Sequence, residues 1–286
     1  MADNIILETK KLRREFGALV AVADVSIQVQ ANTLHSIIGP NGAGKTTLFN
    51  LVSGTISPTS GRVIFKGRDI TNIPLYRTIH LGIGRSFQIT NIFPNLTVLE
   101  NVRLACQALG KDNFKFFSHH RSFRRYEERA WEVIRQVGLA ERALYPARTL
   151  PHGDQRKLEL GMILAPDPEV LLLDEPTAGM AAEQVPELMA LIRQIRAAGN
   201  KTVMLVEHNM NVVMGSSDRI TVMHQGQVLA EGTPAEIAAN EAVQSAYLGG
   251  LYDLSHSRDD SHPAPSPSLR SGSRAGSAAS AGEGKE

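Results

Sequence analysis

Residues 39–46 read GPNGAGKT, which spaces two glycines, a lysine and a hydroxyl residue in a fixed order. Without side chains, Gly39 and Gly44 let the backbone curl and point its N–H groups inward around an anion. Lys45 adds a cation, and Thr46 adds a hydroxyl that can ligate a divalent metal ion. Such a loop binds the phosphates of a nucleotide, and the candidate binding residues are Gly39, Pro40, Asn41, Gly42, Ala43, Gly44, Lys45, Thr46 and Thr47.

An acidic pair follows much later in the chain, at the end of the apolar run VLLLD. There Asp174 ends a predicted strand, where a carboxylate can hold Mg²⁺ through water. Glu175 comes next and can orient or deprotonate an attacking water molecule. By itself this run could be a strand that leads into a surface turn, but together with GPNGAGKT it indicates nucleotide hydrolysis.

The elements that must position these residues follow from hydrophobic periodicity. Between residues 5 and 65 apolar and polar residues alternate, which predicts the strands IILETKKL, VADVSIQVQ, LHSIIG and GRVIFKG. The segment KTTLFNLV after the glycine-rich loop predicts a helix. Residues 97–140 and 155–165 also have largely helical spacing.

Two short apolar runs, VLLLD and TVMLVEH, flank the helical pattern VPELMALIRQIRAAG. Strand, helix and strand in this order predict a buried parallel sheet. The pattern ITVMHQGQVLAEG then predicts a closing hairpin that turns at His224, Gln225 and Gly226. The sequence thus indicates an α/β fold with an inserted helical block at about residues 95–165.

Composition limits the possible classes of function. The 286 residues are 42% hydrophobic and 21% charged with a formal net charge of +1, which argues against a general nucleic-acid binder. The single cysteine, Cys106, excludes an intrachain disulfide. No run reaches the roughly 18 apolar residues of a membrane span, and the first residues lack a signal-peptide pattern. We therefore expect a soluble, cytoplasmic domain that needs an integral partner if it acts at a membrane.

The composition changes near residue 250. From Ser255 onward the chain has no aromatic residue and almost no aliphatic one. Such a segment cannot bury enough apolar surface to offset its ordering entropy. We therefore expect a disordered tail over residues 251–286.

With these motifs in place, the chain resembles the ATP-binding cassette (ABC) proteins, the motor subunits of ABC transporters. The resemblance covers residues 5–250. It implies a P-loop NTPase cassette with a RecA-like parallel-sheet core, an antiparallel β subdomain and an inserted α-helical subdomain. It also implies ATP and Mg²⁺ as ligands and ATP hydrolysis as the activity.

Three further residues match positions of this family. Phe16, in EFGALVAVADVS, matches the aromatic residue that stacks on adenine. Gln88, in GRSFQITNIF, matches the glutamine that senses Mg²⁺ and the membrane subunit, and His208, in MLVEHNM, matches the histidine that contacts the γ-phosphate. The resemblance therefore implies Glu175, His208 and Gln88 as catalytic residues, and Thr46, Gln88 and Asp174 as magnesium ligands.

In this family ATP lies between two chains, and the segment LPHGDQ aligns with the LSGGQ loop that faces the partner's ATP. Proline replaces the serine at Pro151, and no hydroxyl remains there to donate to a phosphate. The resemblance implies contact with the partner's ATP by Leu150, Pro151, His152, Gly153, Asp154 and Gln155. A second departure is Ala181, where the family often has an aspartate. Either the site is weakened or the chain works beside a different ATPase chain. Retention of Lys45 and Glu175 favours a competent nucleotide cradle, the loop at residues 39–47, in this chain.

The segments FPNLTVLENV, EPTAGM and TPAEIAANEAVQSAYLGG resemble the ATPases of branched-chain and hydrophobic amino-acid importers, and HGDQRKLELGMILA also resembles those of urea and amide importers. That group implies integral-membrane permeases, a second and different ATPase, and, indirectly, a periplasmic substrate-binding protein. It implies a peripheral position on the cytoplasmic face of the inner membrane and no nucleic-acid partner. The alternatives are a lipopolysaccharide-export ATPase, a soluble ABC protein acting on ribosomes or DNA, and a nucleotide-binding regulator without catalysis.

Overall fold

The computed structural model describes residues 4–86, 92–108, 110, 121–199 and 201–247. Gln88 and the tail at residues 251–286 lie outside these described residues, so both remain sequence predictions.

Eleven strands and eight helices make up the described chain, together with two 3₁₀ turns at Ala140–Arg142 and Ala147–Thr149. In chain order they are β1 (Ile5–Phe16), β2 (Leu19–Val25), β3 (Gln28–Gln30), β4 (Leu34–Ile38), α1 (Lys45–Val52), β5 (Ser60–Phe65), β6 (Arg68–Asp69), α2 (Leu75–Leu81), β7 (Ile83–Arg85), α3 (Val98–Gln107), α4 (Arg121–Gln136), α5 (His152–Leu164), β8 (Val170–Asp174), α6 (Val185–Gly199), β9 (Thr202–Val206), α7 (Met210–Ser216), β10 (Arg219–His224), β11 (Gln227–Gly232) and α8 (Pro234–Ala238).

The larger sheet has six strands in the order β11-β10-β4-β9-β8-β7. All neighbours pair in parallel except β10 and β11, which form the predicted hairpin. Every residue of β4, β8 and β9 is buried, because helices cover both faces of a parallel sheet. The buried parallel sheet is therefore confirmed, and the carboxyl ends of β4, β8 and β9 share one edge.

The smaller sheet is antiparallel, with β1 at its centre between β2, β3 and β5. One expectation needs correction here, because the predicted strand VADVSIQVQ is two strands, β2 and β3. The buried hydroxyl of Thr9 causes the break: it donates to Val25 O and accepts from Ile27 N, each at 3.0 Å. Asp24, with φ +56°, turns the chain just before this point.

Helices α3, α4 and α5 follow β7 in sequence and precede β8. The helical spacing of α4 is confirmed, since its residues Ala130, Val133 and Ile134 are all fully buried. Asn101 of α3, also fully buried, holds the preceding turn: its amide donates to Phe93 O and Thr97 O, and its carbonyl accepts from Phe93 N. These helices form the inserted helical layer, while its bounds of about 95–165 remain a prediction.

No helix within the described ranges combines the length and apolar character that a bilayer-spanning segment requires.

A buried histidine lies in the central strand of the larger sheet. His35 of β4 is fully buried, and its Nε2 lies 2.7 Å from Thr221 Oγ1. Burial lowers the pKa of His35 from 6.5 to about 4, with Glu231 opposing that shift and Arg219 adding to it. The folded protein therefore keeps this imidazole neutral at a pH where the unfolded chain protonates it.

We expect this histidine to make folding stability depend on pH. Its contribution is complete above pH 6.5 and falls as the pH drops towards 4, because only the unfolded state takes up the proton in that range. Between pH 7.5 and pH 5 the loss amounts to about 2 kcal/mol of the free energy of unfolding. Urea unfolding of wild type and His35→Gln at the two pH values measures it, and the variant should lack this part of the loss. The exposed His80→Gln serves as the control and should keep it; equal losses in His35→Gln and wild type would contradict the assignment.

Candidate nucleotide-binding site

The glycine-rich loop at residues 39–44 lies between β4 and α1, against the β10–β11 hairpin. Gly44 has a φ of +97°, and a Cβ there would lie 2.4 Å from Ala21 O. A Cβ on Gly39 would lie 2.2 Å from Met223 O, so the neighbouring backbones leave no room for a side chain at either position. The amide of Gly226 donates to Ala43 O at 3.1 Å and fixes the loop to the hairpin turn.

The predicted binding residues follow this loop into α1. Helix α1 begins at Lys45, and no side chain of the described residues caps its first N–H groups. Those N–H groups and the glycine-rich backbone form an anion-binding concavity. Thr46 and Thr47 occupy the next two positions of the helix, where their side chains line the same cavity as the loop.

The Lys45 ammonium lies across the mouth of the loop. Nζ donates to Gly39 O at 2.7 Å and to Pro40 O at 3.0 Å, and the residue is 6% exposed. Burial lowers the pKa of Lys45, while the nearby carboxylates of Glu175 and Asp174 oppose that shift. The loop thus places one cation among backbone dipoles, as phosphate binding requires.

Asp174 ends β8 and is 2% exposed. Neither of its carboxylate oxygens has a hydrogen-bond partner among the described residues, and Arg85 Nη2 is 3.9 Å from Oδ2. Burial raises the pKa of Asp174, and Arg85 opposes that shift. A buried carboxylate whose oxygens lack hydrogen-bond partners among the described residues fits a hard divalent cation such as Mg²⁺.

Sequence reasoning missed Arg85, the last residue of β7. Its guanidinium donates to Asn50 Oδ1 at 2.6 Å and to Thr55 Oγ1 at 2.9 Å, at the far end of α1. Arg85 therefore joins α1 to the strand that carries Asp174. An arginine at a strand end is common, and only the tertiary structure shows which carboxylate it faces.

Glu175 and His208 meet although 33 positions separate them in the sequence, with 2.8 Å between Oε1 and Nε2. Glu175 has a φ of +49°, an unfavourable conformation for a residue with a side chain. Its amide still donates to Val206 O at 2.9 Å, so the backbone stays tied to the sheet while the chain turns. Strain of this kind is concentrated at functional positions.

Both residues line a cavity of about 580 Å³, a volume suited to a nucleotide. The glycine-rich loop forms one side of the cavity, and Phe16 and Leu19 of the antiparallel sheet form the other. Phe16 is 46% exposed, and the guanidinium carbon of Arg14 lies 4.6 Å from its ring centroid. Gln225 also lines the cavity; the predicted hairpin turn at this position was the only signal in the sequence that could have indicated it.

Residues 150–155 lie elsewhere. The described lining of the cavity includes none of them. Leu150 is buried, Pro151 precedes the first turn of α5 as its N-cap, and His152 begins the helix. The carboxylate of Asp154 is paired with Arg142 and with Lys157, the latter at 3.3 Å, and the Gln155 amide donates to Leu150 O at 2.9 Å.

Gly153 allows close packing in this first turn. It is buried, and a Cβ there would lie 2.9 Å from Gln184 Oε1. The turn therefore cannot accept a larger residue at this position unless the Gln184 side chain moves.

Three features together define an ATP-binding cassette. A glycine-rich loop follows a buried parallel strand, and acidic residues stand at the end of a second strand. An exposed aromatic residue lies on an adjoining antiparallel sheet. The sequence profile of the ABC transporter family matches residues 22–178, and that of the branched-chain amino acid ATP-binding cassette transporters matches residues 227–253. The chain belongs to the ABC transporter family, and it is an ATPase of that family.

Curated relatives and solved structures agree with this membership. The high-affinity branched-chain amino acid transport ATP-binding protein LivG of Salmonella typhimurium is 41% identical, over 85% of this chain and 98% of its own length. The lipopolysaccharide export system ATP-binding protein LptB of Acidithiobacillus ferridurans is 30% identical, over 87% of this chain and 99% of its own. A nucleotide-free ATP-binding cassette from an ABC transporter superposes with a TM-score of 0.74 at 28% identity, over 85% of this chain and 98% of its own.

We expect Gly44→Ala to lower the affinity for ATP by tenfold or more. The new Cβ would lie 2.4 Å from Ala21 O, so the loop must move in addition to bearing the left-handed conformation. The matched control is Gly67→Ala, where φ is +76° but nothing lies within 4 Å of the added Cβ. That change should cost about 1–2 kcal/mol of stability and leave ATP affinity unchanged. Equilibrium dialysis with labelled ATP and thermal unfolding of both variants measure the difference, and equal ATP affinities would show that the close approach is unimportant.

Proposed function

We propose that the chain is the ATP-hydrolysing subunit of an importer for branched-chain or other hydrophobic amino acids. The observation that carries the hydrolytic role is the Glu175–His208 pair on the wall of the nucleotide cavity, 2.8 Å apart. The substrate class is supported by the profile match over residues 227–253 and by the identity to LivG.

The proposed roles follow the geometry. Phe16 stacks on adenine, the N–H groups of residues 39–47 surround the phosphates, and Lys45 contacts the β- and γ-phosphates. Thr46, Asp174 and Gln88 hold Mg²⁺, which supplies positive charge to the phosphate oxygens when it is bound. Gln88 is assigned from the sequence alone, since it lies outside the described residues.

Glu175 is the proposed general base for the attacking water. When His208 Nε2 carries a proton it donates to Glu175 Oε1 and holds the carboxylate in one orientation. Its ring also lines the cavity, in the position proposed to contact the γ-phosphate. The strained backbone at Glu175 turns its side chain out of the strand towards this point.

The proposed assembly has two integral permeases, this chain, a second and different ATPase, and a periplasmic substrate-binding protein acting through the permeases. The chain then lies peripherally on the cytoplasmic face of the inner membrane.

An export role like that of LptB is the second candidate, supported by the 30% identity. The importer is favoured because LivG is more similar at 41%, and because Pro151 replaces the serine that an intact homodimeric site would use. The Glu175–His208 pair beside Lys45 argues against a regulator without catalysis.

We expect Glu175→Gln to lower ATP turnover about 10²–10⁴-fold with little change in ATP affinity, because a neutral amide cannot accept the proton from water. Phosphate release and ATP binding are measured in the reconstituted transporter. Glu183→Gln, an exposed carboxylate in the same region, is the matched control and should leave turnover unchanged.

The same preparation tests the substrate. Proteoliposomes with the binding protein should accumulate labelled leucine on addition of ATP, and the Glu175→Gln complex should not. Wild-type turnover in Glu175→Gln would refute the general base. Uptake of urea instead of leucine, with normal ATP hydrolysis, would leave the ATPase assignment intact and overturn the substrate.

We expect Pro151→Ser to act on the partner's ATP and not on the ATP in this chain's own cradle. A restored hydroxyl adds one hydrogen bond to a charged phosphate, which can raise turnover by up to about tenfold. Turnover is measured in complexes in which only one cradle is active, with Lys45→Met in this chain or the matching lysine changed in the partner. Formation of an ATP-dependent homodimer with full turnover by this chain alone would contradict the heterodimer.

A further inference from the structure

Glu207 is a buried carboxylate next to His208 to which the proposed hydrolysis gives no role. It is 4% exposed and follows β9 directly. Oε1 accepts from Thr177 N at 3.1 Å and from Thr177 Oγ1 at 2.6 Å, and Oε2 accepts from His208 N at 3.2 Å. One carboxylate thereby joins the backbone of His208 to the segment that follows β8.

That segment, residues 176–180, is here named the linking loop. It is compact, since Ala178 N donates to Glu175 O at 3.0 Å and Met180 N donates to Thr177 O at 3.2 Å. Because these hydrogen bonds span only three residues each, a shift of Thr177 should move Ala178 with it.

Arg156 of α5 holds the opposite side of the linking loop. Nη2 donates to Ala178 O at 3.1 Å, and Nη1 donates to Glu159 Oε2, one turn further along α5, at 2.9 Å. The Arg156 side chain is only 10% exposed; its bond to Glu159 is partly buried, and its bond to Ala178 lies at the surface. A second contact lies nearby, because a Cβ on Gly179 would be 3.4 Å from His152 Cε1.

We propose that Glu207 and Arg156 are positioning residues that make the linking loop a rigid connection between His208 and the first turns of α5 within one chain. This inference rests on the proposed function, in which His208 contacts the terminal phosphate of ATP. A shift of His208 on contact with that phosphate is the displacement that the linking loop would transmit. Neither residue lines the described nucleotide cavity, and both act through the residues that they hold. Packed, hydrogen-bonded elements transmit such displacements because they have discrete arrangements and do not deform continuously.

The result is a signal from the chain's own nucleotide to the surface proposed to face the partner's nucleotide. It runs from His208 through Glu207, Thr177 and Ala178 to Arg156. If these bonds only stabilised the fold, removing them would change the protein equally with every nucleotide. A difference between nucleotides with and without a γ-phosphate therefore separates the two roles.

The test is hydrogen–deuterium exchange of the full chain with saturating MgADP or with MgAMP-PNP, a slowly hydrolysed analogue that keeps the γ-phosphate. In wild type, fragments covering residues 155–161 and 177–181 should exchange at rates that differ at least twofold between the two nucleotides. Arg156→Met should abolish the difference at 155–161 and keep it at 177–181. Glu207→Gln should abolish both, because an amide cannot accept from Thr177 and His208 together without turning its own N–H₂ towards a donor.

Arg135→Met, an exposed arginine on α4, is the matched control and should keep both differences. Affinity for MgAMP-PNP is measured calorimetrically in every variant. Failure of wild type to bind the analogue would overturn the proposed function and the connection with it. Normal binding with equal exchange at 155–161 in both nucleotides, or an undiminished difference in Arg156→Met, would overturn the connection alone.

Should Arg156→Met unfold at a much lower temperature than wild type, Arg156→Lys replaces it. A lysine carries its N–H donors on a single nitrogen, so it lacks the two separate nitrogens with which the guanidinium reaches Ala178 O and Glu159 Oε2. The expected result is a reduced difference at 155–161, and an unchanged difference again counts against the connection.

Discussion

The site depends on one constraint, that β4, β8 and β9 are neighbours in a parallel sheet and end at the same edge. Because all three strands are buried along their whole length, the polar groups of the site stand at the last position of a strand or just after it. The glycine-rich loop, the Asp174–Glu175 pair and the Glu207–His208 pair are therefore brought together by topology, before any side chain contributes. The strand β4 also carries the buried neutral His35, whose Nε2 lies 2.7 Å from Thr221 Oγ1 of the neighbouring strand β10.

Burial then determines the electrostatics at this edge. The same loss of water favours neutral forms of Lys45 and Asp174, and each is opposed by charges of opposite sign nearby. Such charges interact more strongly in a site of low dielectric constant than in water. This edge therefore carries an ammonium group that suits the phosphates of a nucleotide and a buried carboxylate that suits the divalent cation of the proposed function.

The sequence was sufficient for the positions that local order decides. The loop at 39–46, Asp174, Glu175 and His208 all stand at strand ends, and strand ends can be located from apolar periodicity. The sequence was insufficient wherever a tertiary contact decides the structure. Thr9 splits a predicted strand because its hydroxyl happens to face the ladder. No periodicity indicates that Glu207 turns inward to Thr177, because a glutamate after a strand usually faces solvent.

The segment at the start of α5 shows how these contacts change the meaning of a motif. Read alone, Asp154 would place a negative charge where a partner's phosphate is expected, and Pro151 would remove a donor. In the fold, Arg142 and Lys157 both pair with the Asp154 carboxylate and neutralise much of its field. The N–H groups of the first turn stay uncapped by side chains of the described residues, so the positive end of the helix dipole is preserved. The departure from the family motif thus removes the serine hydroxyl and keeps the positive end of the helix dipole, which is compatible with the proposed contact with a partner's nucleotide.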